Sequence, residues 1–263
     1  MHTRRHFIEK LAQYSVAGAA LTLSGCAAVE AIAPLESVAS LMQEGEQLLA
    51  AQRYDEAIAK FRAVLLRDSV SPRAWLGLAR CYIAKASWSD AIASARRALE
   101  LSPQAGEMVQ TFLQALFGGG TQALTSGNFA DAIKHFSEYL KLNTGNPAAW
   151  VNAGKAYLGN RQFGDGLQSL VKALGVAGVD RNDAIGTIFS GGMQAFNQRD
   201  YSSAINMFKS YVQQDPRNPQ AYMTLAKSYW ESGQKGGALE AVRDLLKISP
   251  TNGEALQMLR QLL

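Results

Sequence analysis

From residue 38 onward the apolar positions recur in blocks at helical spacing instead of alternating as a strand requires. Four segments share one grammar, an aromatic, two small or polar residues, then alanine and isoleucine: Tyr54-Asp55-Glu56-Ala57-Ile58, Trp88-Ser89-Asp90-Ala91-Ile92, Phe129-Ala130-Asp131-Ala132-Ile133 and Tyr201-Ser202-Ser203-Ala204-Ile205. Weaker copies centre on Gly166 and Ala238, and the six central residues are 34, 41, 34, 38 and 34 apart. A second signature, Pro72-Arg73-Ala74-Trp75, Pro147-Ala148-Ala149-Trp150 and Pro219-Gln220-Ala221-Tyr222, lies 19 residues before Ala91, Gly166 and Ala238. Proline at a first helical position needs no donor there, and the preceding Ser71, Asn146 or Asn218 offers a side-chain cap, so these are three helix starts. Small residues Ala79 with Ala91, and Ala226 with Ala238, predict helices packed closely in hairpins, with Trp75, Tyr82 and Phe61 filling the space between them.

This register resembles the tetratricopeptide repeat, whose pattern has an aromatic at position 4, Leu-Gly or Leu-Ala at 7 and 8, Tyr at 11, Ala at 20, Phe at 24, Ala at 27 and Pro at 32. Copy 72–105 fits best, through Trp75, Leu78, Ala79, Tyr82, Ala91, Ala98 and Pro103; copy 219–252 is close behind, and copy 147–180 keeps Trp150, Gly154, Tyr157 and Ala173. Copies 38–71, 113–146 and 185–218 are weaker in their first helix and keep Ala57, Ala132 and Ala204 with Phe61, Phe136 and Phe208 in the second. Short insertions at 106–112 and 181–184 separate the pairs. The resemblance implies an all-α solenoid of six hairpins, in which each buries its apolar face against the next. Residues 253–263 are expected to add a capping helix through Leu256, Leu259 and Leu263.

The first 25 residues read differently. Arg4 and Arg5 begin a basic start, Leu11 to Leu23 is a weakly apolar run too short and too diluted to span a membrane, and small residues follow. That is the layout of a cleaved signal peptide. Leu23-Ser24-Gly25-Cys26 resembles the lipobox of bacterial lipoproteins, which implies a diacylated Cys26 as the mature N-terminus. A thiol suits that chemistry because the thioether needs a good nucleophile. Thr3-Arg4-Arg5-His6-Phe7-Ile8 is similar to a twin-arginine export signal; an ordinary export signal with a basic start is the other reading. Residues 26–37 then serve as a lipidated tether. Ala27 stands where many inner-membrane lipoproteins carry aspartate, which points to the outer membrane, facing the periplasm.

Composition narrows the remaining chemistry. The chain has 263 residues, 48% of them hydrophobic, with 26 basic and 22 acidic side chains. Removing Arg4, Arg5, Lys10 and Glu9 with the leader leaves 23 basic against 21 acidic residues, a net of +2, too mild for wrapping nucleic acid. Of three histidines and two cysteines, only His135 and Cys81 remain apart from the anchor. Cys81 beside Tyr82 is expected to be a buried apolar residue, and His135 to have surface or packing duty. No metal, cofactor or catalytic constellation is expected, and the chain does not read as an enzyme.

Function is therefore expected in the groove. The family places the first helix of each hairpin on a concave face, where position 9 holds Arg80, Lys155 and Lys227, with Arg73 and Asn152 nearby. Such a row could grip carboxylates of an extended peptide, although the family's carboxylate clamps have asparagine at position 9; a solvated face is the weightier reading, since scattered surface charges usually mean little. Met42, Phe117, Phe189 and Phe196 fall at concave positions and either accept a partner helix or are covered within the array. Gly118-Gly119-Gly120 and Gly191-Gly192 inside first helices predict close crossings, with a hinge as the second reading. The resemblance implies a protein-interaction scaffold in assembly of a cell-envelope, secretion or pilus complex. The alternative is a ligand- or peptide-binding component of a transport system, with a pocket built from Phe117, Phe189, Lys155 and Arg80.

Overall fold

The computed structural model describes residues 36–263; the leader, Arg4, Arg5, Cys26 and the tether as far as residue 35 lie outside the described residues. Ser37–Leu263 forms one compact unit. Its helices run α1 Val38–Ala50, α2 Tyr54–Arg67, α3 Pro72–Ala84, α4 Trp88–Leu101, α5 Gly106–Thr125, α6 Phe129–Leu142, α7 Pro147–Gly159, α8 Phe163–Leu174, α9 Arg181–Asn197, α10 Tyr201–Gln214, α11 Pro219–Glu231, α12 Lys235–Ile248 and α13 Gly253–Leu262. They pair in sequence as six antiparallel hairpins, with α13 packed on α12. The array is the expected α-solenoid.

Each hairpin turns through a residue in the left-handed region: Gln52, Ala86, Gly127, Arg161, Arg199 and Gly233, with φ between 54° and 77°. All six stand at position 15 of their copy. The core is built from small residues on one helix facing a large residue on the next. Ala79, Ala91, Ala226 and Ala238 are fully buried. Phe61, Phe136 and Phe208 are the largest fully buried side chains. A Cβ on Gly45 or Gly77 would come within 2.8 or 2.4 Å of the Phe61 ring, and one on Gly120 or Gly192 within 2.9 or 3.0 Å of Phe136 or Phe208. Gly118 lies against Trp88, where a Cβ would meet the indole at 2.2 Å. These glycines serve close crossings.

The first helices of successive hairpins touch along the series α1, α3, α5, α7, α9 and α11. Among the described second helices, only α8 and α10 make comparable contact. The first helices therefore form the tight inner layer, and the second helices splay on the outer side.

Three expectations need correction. Residues 106–112 and 181–184 do not separate modules; they are the opening turns of α5 and α9, which run to 20 and 17 residues. Met108, Thr111, Phe112, Ala115, Leu116 and Gly119 form one continuous buried stripe, so the helix gains by starting early. Ser71 makes no side-chain cap, whereas Asn146 and Asn218 do. Their carboxamide oxygens accept from the N–H groups of residues 148 and 149 and of 220 and 221 at 3.0–3.3 Å, while their Nδ2 groups donate to the Tyr139 and Tyr211 hydroxyls at 2.8 and 2.9 Å. In the first hairpin Val64 replaces that tyrosine. Finally, α13 buries Ala255 and Met258 and packs Leu259 half-buried against the same core, but leaves Leu256 and Leu263 exposed, so its covering face is rotated from the expected leucine stripe.

Candidate interaction face

The inner layer carries the position-9 side chains, and the structure gives each a partner. Lys155 Nζ lies 2.8 Å from Asp183 and Lys227 Nζ 2.5 Å from Glu254, while Arg80 pairs with Glu107. Glu107 and Asp183 sit in the first turn of the next hairpin's first helix and Glu254 in the first turn of α13, where the positive end of the helix dipole favours an acid. Arg73 completes the series in reverse polarity, meeting Glu46 at 2.9 Å across α1 and α3. The cationic row is thus a ladder of ties between neighbouring hairpins, answered by the protein's own carboxylates. All four pairs are substantially exposed, so each contributes only about 0–1 kcal/mol and remains able to exchange partners.

The aromatic candidates are partly spent on packing. Phe117 stands edge-on to Phe136 with centroids 5.8 Å apart and tilts against Tyr139 at 5.7 Å. Phe189 repeats the arrangement on Phe208 and Tyr211 at 5.6 and 5.1 Å. Met42 occupies the equivalent place beside Phe61 and Val64. Phe117 and Phe189 thus pack on the second helix of their own hairpins, on α6 and α10, and Arg80 and Lys155 are tied elsewhere. The four residues expected to share a transport pocket are not brought together. Asn152 is half-buried on α7.

Two candidates do meet. Phe196 and Lys227 line one cleft of about 450 Å³ between α9, α11 and the start of α13, with Met193, Met223, Asn197, Gln220, Thr224, Asn252 and Glu254. Phe196 is half-buried and packs edge-on against Tyr201 at 5.7 Å, leaving part of its ring to the cleft. Methionine and aromatic surface beside carboxamides and one ion pair can accept an apolar side chain and hydrogen-bond the chain that carries it. The sequence pattern singled out Phe196 and Lys227. Asn197, Gln220 and Asn252 were missed because polar residues near helix ends and caps look like solvated positions.

Other groups have packing roles. Cys81 is fully buried, and burial pushes its thiol up to about 11, so it is not poised as a nucleophile. His135 lies between α4 and α6 in an outer cleft of about 510 Å³; its Nδ1 is buried without a hydrogen-bond partner. Burial holds this imidazole below its ordinary value, outweighing the attraction of Asp131. Beside it Arg96 grips Glu138 through both oxygens, one at 2.9 Å, and those hydrogen bonds lower the carboxyl. Among the described residues no cluster of three or more His, Cys, Asp or Glu could hold a metal ion. No helix among them is long and apolar enough to cross a membrane.

Models of the tetratricopeptide repeat match residues 42–106 and 117–177, and a further one matches 195–263. No curated protein matches the sequence. Several solved structures are similar in fold. One is a chain of the Naa15/Naa10 complex bound to HypK-THB, 16% identical, with a TM-score of 0.51 over 86% of this chain and 34% of that one. Another is YrrB, described as a TPR protein with an unusual peptide-binding site, 21% identical, with a TM-score of 0.39 over 75% of this chain and 96% of that one. A tetratricopeptide repeat protein from Parabacteroides merdae is 13% identical, with a TM-score of 0.43, covering 86% and 85% of the two chains.

Proposed function

The chain belongs to the tetratricopeptide repeat family, a class of protein-interaction scaffolds, and on that premise we propose that it binds a protein partner while held by lipid on the extracytoplasmic side of a bacterial membrane. The observation that carries the binding half is the cleft uniting Phe196 and Lys227 across α9, α11 and α13. A partner segment in extended or helical form lays an apolar side chain on Met193, Phe196 and Met223. Gln220, Asn252 and Asn197 satisfy its polar groups, and Lys227 or Glu254 exchanges its internal partner for one on the ligand.

The anchoring half rests on Leu23-Ser24-Gly25-Cys26 after an apolar run behind Arg4 and Arg5. Acylation of Cys26 places the solenoid at the membrane, and Ala27 favours the outer membrane, facing the periplasm. A single acyl chain holds a protein only marginally, so a diacylated cysteine is the fitting anchor for a scaffold. Within that setting the protein organises a cell-envelope, secretion or pilus complex. The scaffold reading is preferred to the transport component because Phe117, Phe189, Arg80 and Lys155 are engaged on separate helices.

Cross-linking followed by affinity purification from membranes tests this. The expected result is a stoichiometric protein partner that is lost when Phe196 and Met223 are changed to serine. A co-purifying small molecule with no protein partner would overturn the scaffold reading. Separately, Cys26→Ser is expected to abolish acyl labelling and release the protein from membranes; unchanged labelling would refute the anchor.

A further inference from the structure

Most large apolar side chains left in water lie on one edge of the solenoid. Leu66 is 88% exposed, Val70 58%, Leu142 and Val171 49%, Ile248 38% and Val38 36%. Leu66, Leu142, Val171 and Ile248 stand in the last turns of second helices, Val70 lies in the loop that follows α2, and Val38 opens α1. Because α1 and α2 are antiparallel, Leu41 near the start of α1 packs with Val64 near the end of α2 and with Ala74 in the first turn of α3. The second helices therefore end at the edge from which the chain leaves toward Cys26. Leu256 and Leu263, both on α13, are not part of this second-helix series.

Each exposed side chain on a second helix has a cation next to it in sequence: Leu66 with Arg67, Leu142 with Lys141, Val171 with Lys172 and Ile248 with Lys247. Lys172 lies over the Trp150 ring at 4.8 Å, Lys247 is 2.7 Å from Asp244, and Arg67 also has a local interaction, so these three would exchange a partner at a lipid surface. An apolar side chain beside a basic one suits the boundary of a bilayer, where the first enters the acyl region and the second meets phosphate oxygens. Only eleven residue steps separate Cys26 from Ser37, a reach of at most about 40 Å. A lipid surface is therefore the nearest apolar phase to Val38, Leu66 and Val70.

We propose that this edge, at its Val38, Leu66 and Val70 end, rests on the bilayer to which Cys26 holds the chain. The inference depends on the anchoring reading above. It turns the lipid from a loose leash into one of two contacts, and it fixes which edge faces the membrane. The inner cleft then opens sideways, along the membrane surface.

Thiol accessibility tests it on the full chain. Cys81 is buried, and acylation consumes the thiol of Cys26, so Leu66→Cys or, at the opposite end of the same hairpin, Ala51→Cys supplies one reactive thiol. Each is alkylated with a membrane-impermeant maleimide, once on the acylated protein in phosphatidylethanolamine and phosphatidylglycerol vesicles and once in the vesicle-free Cys26→Ser background. The rate at position 66 relative to position 51 is expected to fall about tenfold on vesicles, the change that burying one aliphatic side chain produces. An unchanged ratio on vesicle-bound protein overturns the inference and leaves the anchor standing. A low ratio without vesicles that rises on dilution assigns the edge to a second copy of the chain and also overturns it. If the protein with Cys26 intact neither sediments with vesicles nor loses its reactive thiol at 26, the anchor fails and this contact with it.

Discussion

Position 15 of each hairpin shows how much one residue decides. The left-handed backbone there is natural for Gly127 and Gly233, but four of the six turns place a side chain in it: Gln52 at φ 59°, Ala86 at 54°, Arg161 at 61° and Arg199 at 62°. An L-residue in that region costs roughly 1–2 kcal/mol, part of which glycine gives back through its freedom in the unfolded chain. Ala86→Gly and Arg161→Gly are each expected to raise stability by about 0.5–1 kcal/mol, read as a higher urea midpoint at unchanged slope. A lower midpoint would mean that the side chains make contacts outweighing the strain. The reverse change, Gly127→Ala, is expected to cost about 1 kcal/mol. His135 supplies a pH signature. Burial lowers its folded-state value, so the unfolded chain binds the proton more readily. Its contribution is intact above about pH 6.5 and stability falls as pH drops below that, by at most about 1.4 kcal/mol per unit. His135→Gln should flatten the melting temperature between pH 7 and 5.5; an unchanged slope would place the titration elsewhere. The sequence reading located none of these turns: Gly127 and Gly233 are residues that such a backbone favours, but nothing in Gln, Ala or Arg announces it.

Helices in this array are placed by what meets their ends and faces. The Asn-Pro starts of α7 and α11 were legible from the dipeptide, yet their tie to Tyr139 and Tyr211 was not, because the two residues stand seven apart across a helix end and a turn. Asn146→Ala and Asn218→Ala are expected to cost about 1–2 kcal/mol each in chemical unfolding, whereas Ser71→Ala, with no cap bond to lose, should change stability by under about 0.5 kcal/mol. Equal losses at all three would show that the carboxamide tie contributes nothing. The glycine run of α5 was recognised as a crossing. Gly118→Ala should destabilise by about 1–3 kcal/mol through collision with Trp88, while Gly106→Ala meets open space and should not. The 34-residue period misled at α5 and α9. Fitting every copy to one length made their opening turns look like insertions, although Met108 and Phe112 continue the same buried stripe. Periodicity located the hairpins well and the helix ends poorly, since ends depend on contacts made with the next hairpin.

Across the whole molecule the solenoid presents two faces with different work. The outer face is ribbed by second helices that, α8 and α10 apart, make little contact with one another. The inner face is knitted by exposed ion pairs whose sequence signal was read as a free cationic row; the partner acids Glu107, Asp183 and Glu254 escaped notice because they lie 27 or 28 residues downstream, beyond any local pattern. Replacing Arg80, Lys155 and Lys227 with alanine should cost little stability and should weaken partner capture more at low salt than at high salt. Equal capture at both would confine the row to tying hairpins together. The scaffold reading predicts where a partner lies, and a photo-reactive amino acid at single positions in the intact cell tests that most directly. A probe at Phe196 or Gln220 in the inner cleft is expected to yield one discrete protein adduct, while a probe at Ser210, in the groove between the second helices α8 and α10, should yield none. Adducts from Ser210 with none from the cleft would contradict the account.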